Sequence, residues 1–365
     1  MMTAVDPRPG ILNIKPHMMS ASSDQAPEAF INIASNENAL GPGTNAIAAA
    51  QQAMLRIERY PEHGPEQLDV AIGRAFDLDP AKIVCGHGSD DLLSRIARAY
   101  LSPGDELVYS VHGYQKVPNY AHANDARPVA AADCEFRADI DSILACVNER
   151  TRIVMLANPD NPTGTYISGG DVRRLLAGLR PNILLVLDSA YAEYVEADDY
   201  EVASKLVDEF ENVVMTRTFS KIFGLAGMRV GWFYGPPAIA DVIKRIGSTF
   251  PLSAPGISAA IAALEDEDHT HRVLEHNRVW KQWLAKQCVD LGLRVYPSET
   301  NFLLVRFPDA AKPASAANDY LRLQGILARR FPAADFQDCV RFTIGFEDEM
   351  KATVAALREF IGEAG

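Results

Sequence analysis

The sequence predicts an α/β fold in which a large domain with a mostly parallel central sheet flanked by helices precedes a smaller α+β domain. From residue 83 to about residue 234, apolar segments of strand length alternate with helical segments, which is the pattern of βαβ units. Two of these segments, 153–157 and 183–187, are apolar without interruption, as expected of strands buried on both faces of a parallel sheet.

The rest of the chain predicts the smaller domain and an N-terminal arm. The alternating pattern breaks around residues 251–255, after which long helices precede short strands at 301–305 and 340–344. Helices followed by strands are typical of an α+β unit. The predicted division is an arm of residues 1–40, a large domain of residues 41–254 and a small domain of residues 255–365.

Two helices of the large domain are predicted from their ends. An alanine- and glutamine-rich segment from 44 to 59 is expected to end before Tyr60 and the proline that follows it, because the residue before a proline is disfavoured in a helix. Another helix is expected to begin near Asp91, just after Ser89 and Asp90.

Composition and charge indicate an ordinary globular enzyme-sized protein. The 365 residues are 48% hydrophobic and 23% charged, with a formal net charge of −13. An acidic surface repels a phosphate backbone, so no nucleic-acid partner is expected. No apolar run approaches the ~18 residues that span a bilayer, and the N-terminus lacks the apolar core of a signal peptide. A cytoplasmic protein without a membrane partner is therefore expected.

The cysteines and histidines do not predict a metal site. The five cysteines are widely separated along the chain, so we interpret them as reduced thiols. Residues 267–271 (Glu-Asp-His-Thr-His) superficially resemble a metal-binding cluster, but an acidic stretch at a helix boundary is more often a solvated surface.

Polar residues follow three of the predicted strands at the point where each strand ends. Asn161 lies in a loop with two prolines after the strand at 153–157, and Asp188 follows the next apolar strand. Lys221 comes shortly after a third apolar run, 213–215. Ligands of open α/β sheets bind beyond the carboxyl ends of the strands. These three residues are therefore expected to share one site.

The segment around Lys221 predicts the chemistry of the ligand. Lys221 lies beside Thr218 and Ser220, and Arg229 follows within a glycine-bracketed turn. A lysine amine forms a Schiff base with a carbonyl, and hydroxyl and guanidinium groups bind a phosphate through charge-assisted hydrogen bonds. Pyridoxal 5'-phosphate (PLP) carries both an aldehyde and a phosphate, so the segment predicts PLP as cofactor.

Taken together, these motifs resemble a known family. The motifs Asn-Pro-x-Asn-Pro-Thr-Gly (158–164), Asp-x-Ala-Tyr (188–191) and Thr-x-Ser-Lys-x-x-Gly-Leu-Ala-Gly-x-Arg-x-Gly (218–231) are similar to those of class I/II aminotransferases of PLP fold type I. Residues 36–42 (Asn-Glu-Asn-Ala-Leu-Gly-Pro), together with Arg59-Tyr60-Pro61 and 86–91, most resemble the histidinol-phosphate aminotransferases. The resemblance implies that the N-terminal arm packs with the small domain.

The resemblance assigns roles around the cofactor ring. Lys221 would hold PLP covalently and move the proton, and Asp188 would keep the pyridine nitrogen protonated. Tyr191 and Asn161 would hydrogen-bond the phenolic oxygen of the ring. Tyr114 matches the aromatic residue that stacks on it.

Further residues are implied for the phosphate of the cofactor. The free N–H groups of a helix start would meet it. The implied phosphate-binding residues are Ser89, Asp90, Thr218, Ser220 and Arg229. Tyr60 would reach the phosphate of the neighbouring subunit, which implies a homodimer with shared active sites.

Substrate recognition is implied at four positions. Arg341, a guanidinium in an otherwise apolar strand, would pair with the α-carboxylate of an amino acid. Arg329 matches the arginine that binds the phosphate of histidinol phosphate, with Arg330 as the alternative. Asn38 would also contact substrate, and His17 occupies the place of a tyrosine in the family's substrate pocket.

More than one reaction remains open. The first hypothesis is a histidinol-phosphate aminotransferase working with 2-oxoglutarate and glutamate. The second is an aminotransferase of aromatic or other amino acids, motivated by departures at His17, Ser189 and 249–253. A decarboxylase of a phosphorylated amino acid is the third. A PLP-binding regulator is disfavoured because the predicted residues exceed what binding requires. A nucleotide-dependent enzyme is disfavoured because residues 86–88 and 224–227 complete no nucleotide-binding motif.

Overall fold

The computed structural model describes residues 5–14, 30–61 and 66–362. The helices are α1 (Thr44–Met54), α2 (Glu66–Phe76), α3 (Ser89–Tyr100), α4 (Val117–His122), α5 (Ile140–Cys146), α6 (Gly169–Gly178), α7 (Ala203–Glu209), α8 (Pro237–Arg245), α9 (Ala254–Leu264), α10 (Glu267–Asp290), α11 (Ala314–Leu323) and α12 (Glu347–Ile361). The strands are β1 (Ile31–Asn32), β2 (Ile83–Gly86), β3 (Glu106–Ser110), β4 (Arg127–Ala131), β5 (Asp133–Cys134), β6 (Arg137–Ala138), β7 (Thr151–Ala157), β8 (Leu184–Asp188), β9 (Val213–Thr218), β10 (Gly231–Tyr234), β11 (Arg294–Val295), β12 (Phe302–Arg306), β13 (Ile326–Leu327) and β14 (Cys339–Thr343).

A seven-stranded sheet forms the centre of the large domain, in the order β2-β10-β9-β8-β7-β3-β4. Strand β10 is antiparallel to both of its neighbours, while β9, β8, β7, β3 and β4 run parallel to one another. Every residue of β8 and β9 is buried, which explains their apolar runs at 184–187 and 213–215. The predicted mostly parallel sheet is confirmed.

Two helix ends differ from the prediction. Helix α1 ends at Met54 rather than at residue 59, and a turn follows. Leu55 and Ile57 in that turn are 72% and 66% exposed, so a longer helix would gain no stabilising burial of an apolar face within this chain. Helix α3 begins at Ser89 rather than near Asp91, because Gly88 at its N-cap adopts a φ of 80° that ends the preceding loop.

The small domain has its own sheet and core. Strands β11, β12 and β14 form an antiparallel sheet in that order, covered by α10, α11 and α12. Strand β1 pairs with β13, and Ile33 is buried in the same core. The described part of the arm therefore joins the small domain through residues 31–33. Residues 9–13 instead lie against α4, where the Gly10 N–H donates to Asp125 Oδ1 at 2.7 Å.

The hydrophobic cores divide the chain inside α10. Helix α9 packs along α1, and Ile257 and Ala260 belong to the core of the large domain. Val273 of α10 is buried in the same core, whereas Leu284 is buried in the small-domain core. The division at residues 254 and 255 stays a prediction, and core packing assigns α9 to the large-domain side. None of the helices in the described ranges is long and apolar enough to cross a membrane.

Candidate active site

A cavity of about 260 Å³ opens at the carboxyl ends of β7, β8 and β9 and is closed on one side by the small domain. It is where the strand-end rule places a ligand. The predicted residues that line it are Ser89, Asp90, Tyr114, Asn161, Asp188, Tyr191, Thr218, Ser220, Lys221, Arg229 and Arg341. Among the described residues, no group of His, Cys, Asp or Glu side chains is arranged to hold a metal ion.

Lys221 follows β9 directly and extends into the cavity. Its Nζ donates to the carbonyl of Ser35 at 3.2 Å and lies 6.0 Å from the centre of the Tyr191 ring. Burial lowers the pKa of this amine to about 8, and the charge of Arg341 acts in the same direction. A neutral, nucleophilic amine is therefore available near neutral pH.

Asp188 ends β8 and is 7% exposed at the floor of the cavity. Its Oδ1 accepts a hydrogen bond from Thr216 Oγ1 at 2.9 Å. Burial raises the pKa of Asp188 to about 7, and only that one hydrogen bond and the charge of Lys221 oppose the shift. A buried carboxylate in this state favours a cationic partner.

Tyr191 is buried beside Asp188 and is oriented by a residue that the sequence analysis did not assign. Asn36 Nδ2 donates to Tyr191 Oη at 2.9 Å, so the hydroxyl proton of Tyr191 is free to be donated elsewhere. Burial raises the pKa of Tyr191 to about 12, which keeps that proton on the oxygen. Asn36 itself has a φ of 56° and is 1% exposed.

An anion cradle lies opposite Asp188. The first N–H groups of α3 have no partner within the helix, and the positive end of the helix dipole faces the cavity. Thr218 Oγ1 donates to Ser220 Oγ at 2.9 Å, and Arg229 Nη1 donates to the same oxygen at 3.3 Å. Hydroxyls, a guanidinium and a helix N-terminus together suit a phosphate.

Glycines permit the close approach that builds this cradle. A Cβ on Gly88 would lie 2.6 Å from Arg229 Nη2, and one on Gly231 would lie 2.4 Å from the backbone nitrogen of Ser89. Gly231 is required because a Cβ there would meet backbone atoms, and glycine is favoured at position 88 by the positive φ of 80°.

Arg341 crosses from the small domain into the cavity. Its Nη2 donates to the Ala34 carbonyl at 2.6 Å, and Nη1 donates to Asn161 Oδ1. Its guanidinium lies 5.0 Å and 5.3 Å from the ring centres of Phe302 and Phe331. Its Nε is buried without a hydrogen-bond partner among the described residues, and burial lowers its pKa to about 10. These features fit a bidentate carboxylate ligand.

Residues 28–357 match the family model of the class I and II aminotransferases. The chain belongs to this family. A histidinol-phosphate aminotransferase of Paramagnetospirillum magneticum is 46% identical to this aminotransferase over 99% of the chain and 100% of that protein. A histidinol-phosphate aminotransferase of Rhodospirillum centenum is 45% identical over 99% of both proteins.

A solved structure agrees with the fold and the cofactor. Histidinol-phosphate aminotransferase from Sinorhizobium meliloti, in complex with pyridoxal-5'-phosphate, superimposes with a TM-score of 0.85 at 34% identity over 91% of this chain and 90% of that one. The aminotransferase is therefore a PLP-dependent enzyme of fold type I. The predicted family, fold class and cofactor are confirmed.

The cavity of the aminotransferase fits PLP. The buried carboxylate of Asp188 favours a cationic partner and would suit a protonated ring nitrogen, and the cradle at Ser220 and Arg229 suits a phosphate. Asn161 Oδ1 accepts a hydrogen bond from Arg341 Nη1, so Asn161 Nδ2 is left to donate to an oxygen of the ligand. The Asp90 carboxylate accepts from Lys116 and Tyr120, so Asp90 can offer the phosphate only its backbone N–H.

Three predicted site residues of the aminotransferase lie outside the cavity lining. Asn38 makes two hydrogen bonds there, with Nδ2 donating to the Ile222 carbonyl at 2.8 Å and Oδ1 accepting from the Leu40 N–H. Tyr60 is 72% exposed on the surface and stacks on Phe250. Arg329 is half-buried behind Arg341 and pairs with it through backbone hydrogen bonds. His17 lies outside the described residues.

Three polar residues of the cavity were missed by the sequence analysis: Ser35, Asn36 and Glu37. Asn36 and Glu37 precede Asn38 in the Asn-Glu-Asn motif, so the motif was the available signal. Two hydrogen bonds from the small domain hold the backbone of Asn36. Its N–H donates to Thr343 Oγ1 at 2.9 Å, and its carbonyl accepts from Asn301 Nδ2 at 3.1 Å. Only these long-range contacts identify which asparagine enters the site.

Proposed function

We propose that this aminotransferase transfers the amino group of L-histidinol phosphate to 2-oxoglutarate. The observation that carries the proposal is a pair of arginines of the small domain: Arg341, which lines the cavity, and Arg329, which lies outside the lining and is joined to Arg341 by reciprocal backbone hydrogen bonds of 2.8 Å and 3.0 Å. The amino donor and the 2-oxo acid together require two arginines, because one carries a phosphate and the other an α-carboxylate. Arg341 is placed for the α-carboxylate of glutamate and 2-oxoglutarate, while Arg329 supplies a second cation for the phosphate of a donor without a carboxylate. The names of the relatives support the same substrate.

The residues that would hold the cofactor divide by the part they contact. Lys221 takes the aldehyde end, Asp188 the ring nitrogen, and Tyr191 with Asn161 the phenolic oxygen. Tyr114 lies beside Asp188 in the cavity wall and is the aromatic side chain for stacking on the ring. The phosphate would be bound by Thr218, Ser220, Arg229 and the backbone N–H groups of Ser89 and Asp90.

When bound, PLP supplies an aldehyde that takes up the amino group and a ring that accepts electron density from the substrate α-carbon. Lys221 would act as the base of this site: its amine, whose pKa burial lowers to about 8, would take the proton from the substrate α-carbon and pass it to the cofactor. Asp188 would hold a proton on the ring nitrogen, and the Tyr191 hydroxyl would donate to the phenolic oxygen. Arg341 would bind the α-carboxylate of glutamate and so orient its α-hydrogen for Lys221.

The working unit proposed is a homodimer. Tyr60 stacks on Phe250 with ring centres 4.0 Å apart, and both rings are exposed next to Leu55 and Ile57. A contiguous exposed apolar surface of this kind favours burial against a second copy, which would bring Tyr60 to the neighbour's phosphate site. Light scattering of the PLP-loaded protein is expected to give twice the mass of the chain. The mass of one chain would contradict the dimer.

Cytoplasmic location is proposed together with this function. It is supported by the chemistry, since a biosynthetic aminotransferase needs only small-molecule substrates. Detection of the untagged protein by cell fractionation tests it, and recovery in the membrane or extracellular fraction would contradict it.

Arg329→Ala tests the substrate. Loss of one charge-assisted contact to a phosphate costs about 1.5–3 kcal/mol, so KM for histidinol phosphate is expected to rise by roughly 10-fold to 150-fold. KM for glutamate should change little, because its carboxylate binds Arg341. Steady-state kinetics with both donors measures this difference.

Arg330→Ala is the matched control. The Arg330 side chain donates to the Gln337 carbonyl at 3.3 Å instead of meeting Arg341, so its removal should leave both KM values unchanged. Equal losses for the two donors in Arg329→Ala would contradict a phosphate role for Arg329. A selective loss in Arg330→Ala would transfer that role to Arg330.

A further inference from the structure

A strained hairpin of the large domain reaches across to the small domain. Strands β5 and β6 are joined by Glu135 and Phe136, which have φ values of 50° and 67°. A two-residue turn with both φ values positive usually contains asparagine and glycine, and bulky side chains rarely adopt this conformation. Backbone strain of this kind persists only where surrounding contacts offset it.

The contacts that offset the strain come from the small domain. The Phe136 ring stacks on Phe336 at 4.9 Å between centres and meets the edge of Tyr296 at the same distance. Glu135 forms an ion pair of 2.8 Å with Arg294 on β11. Both turn side chains therefore cross the domain boundary.

His112 lies beneath this contact and bridges the two domains. Its Nδ1 is 2.8 Å from Asp133 Oδ2 in the large domain, and its Nε2 is 3.0 Å from Asp335 Oδ2 in the small domain. Each ring nitrogen therefore lies within hydrogen-bonding distance of a carboxylate, one from each domain. The edges of Phe136 and Phe336 cover the ring.

The small-domain segment held in this way, residues 329–336, packs against Arg341, which lines the cavity. Phe336 packs on Phe331 at 5.4 Å between ring centres, and Phe331 lies 5.3 Å from the Arg341 guanidinium. Arg329 begins the segment and hydrogen-bonds the backbone of Arg341. A continuous series of contacts thus leads from His112 through Phe336 and Phe331 to the two arginines.

We propose that His112 is a positioning residue for the donor phosphate: its ring links Asp335 to Asp133 and so holds residues 329–336, with Arg329 and Phe331, against Arg341. Its own side chain does not line the cavity. The effect on substrate rests on the proposed function, because Arg329 acts on a phosphorylated donor. The effect of His112 on the mobility of residues 329–336 does not depend on the proposed function.

The test compares His112→Gln and Asp335→Asn with wild type, all loaded with PLP. Glutamine can hydrogen-bond one of the two carboxylates but cannot bridge both, and Asp335 is 67% exposed, so its replacement leaves the core intact. Hydrogen exchange of the 329–336 peptide is measured first, followed by kcat and KM for histidinol phosphate and for glutamate. Glu135→Gln is the matched control, since it removes only the exposed ion pair at the same hairpin.

In both variants we expect faster amide exchange of 329–336 and a KM for histidinol phosphate raised by about tenfold, with kcat and the KM for glutamate within about twofold, as misplacement of a binding group predicts. Unchanged exchange would overturn the proposal, and so would equal increases of KM for both donors or the same changes in Glu135→Gln. A wild-type enzyme that rejects histidinol phosphate overturns the proposed function instead, and the exchange comparison still decides the role of His112.

Discussion

Replacing Lys221 with alanine is expected to remove covalent attachment of PLP and to lower kcat by at least about 10⁴-fold, since the same amine serves as nucleophile and as base. Lys221 is the lysine among the residues that line the cavity. Mass spectrometry of the borohydride-reduced, PLP-loaded protein measures attachment, and single-turnover kinetics with glutamate measures the rate.

The fold of the Lys221→Ala protein should remain intact. Burial lowers the pKa of Lys221 to about 8, so this amine loses favourable charge hydration on folding and its removal does not destabilise the apoprotein. Lys351→Ala is the control, because Lys351 is exposed on α12 and pairs only with Glu347. A Lys221→Ala enzyme that still carried covalently bound PLP and turned over at the wild-type rate would refute the assignment.

Asp188→Asn should show opposite effects on activity and on stability. Asparagine cannot keep the ring nitrogen protonated, so kcat is expected to fall by about 10²-fold or more, the range typical of losing one preorganised electrostatic partner. The apoprotein should become more stable, because a buried carboxylate that burial destabilises is replaced by a neutral amide.

The pH dependence of this stability gain follows from the raised pKa of Asp188, about 7 when folded against a usual value near 3.8. Below about pH 4 the carboxyl is neutral in both states, so Asp188→Asn and wild type should be equally stable. As pH rises from about 4 to 7 the wild-type apoprotein loses stability relative to the variant, by up to about 4 kcal/mol. Urea unfolding of both apoproteins at several pH values measures the difference.

Two outcomes would count against the role of Asp188. One is a variant apoprotein that is no more stable than wild type above pH 7. The other is an unchanged kcat with PLP. Asp241→Asn serves as control, since Asp241 is an exposed residue of α8 that pairs with Arg245 and should affect neither quantity.

Much of the cofactor side of the site can be predicted from the sequence because it lies at strand ends. Asn161, Asp188 and Lys221 follow buried strands whose apolar runs are visible in the sequence, and parallel strands end at one edge of a sheet. Each of these residues is positioned by the strand that precedes it. Its short distance along the chain from the end of that strand is enough to predict that it lies at this edge of the sheet.

The substrate side was less predictable, because contacts between distant segments build it. Asn36 and Asn38 share one motif, but Asn36 enters the cavity through a left-handed backbone conformation fixed by Thr343, which is 307 residues away. The sequence predicts that the small domain begins at helix α9, yet the small apolar residues of α9 pack on α1. The hairpin at Glu135 and Phe136 has no turn signal, since its conformation is sustained by the small domain rather than by its own residues.

The most direct test of the proposed activity is a single-turnover absorbance measurement on the PLP-loaded wild-type enzyme. L-histidinol phosphate, L-glutamate and L-phenylalanine are each added as amino donor, and conversion of the bound cofactor from its aldehyde form to its amine form is followed. Conversion with histidinol phosphate and glutamate, much faster than with phenylalanine, is the predicted result. Conversion with phenylalanine but not with histidinol phosphate, or release of carbon dioxide from a phosphorylated amino acid, would contradict it.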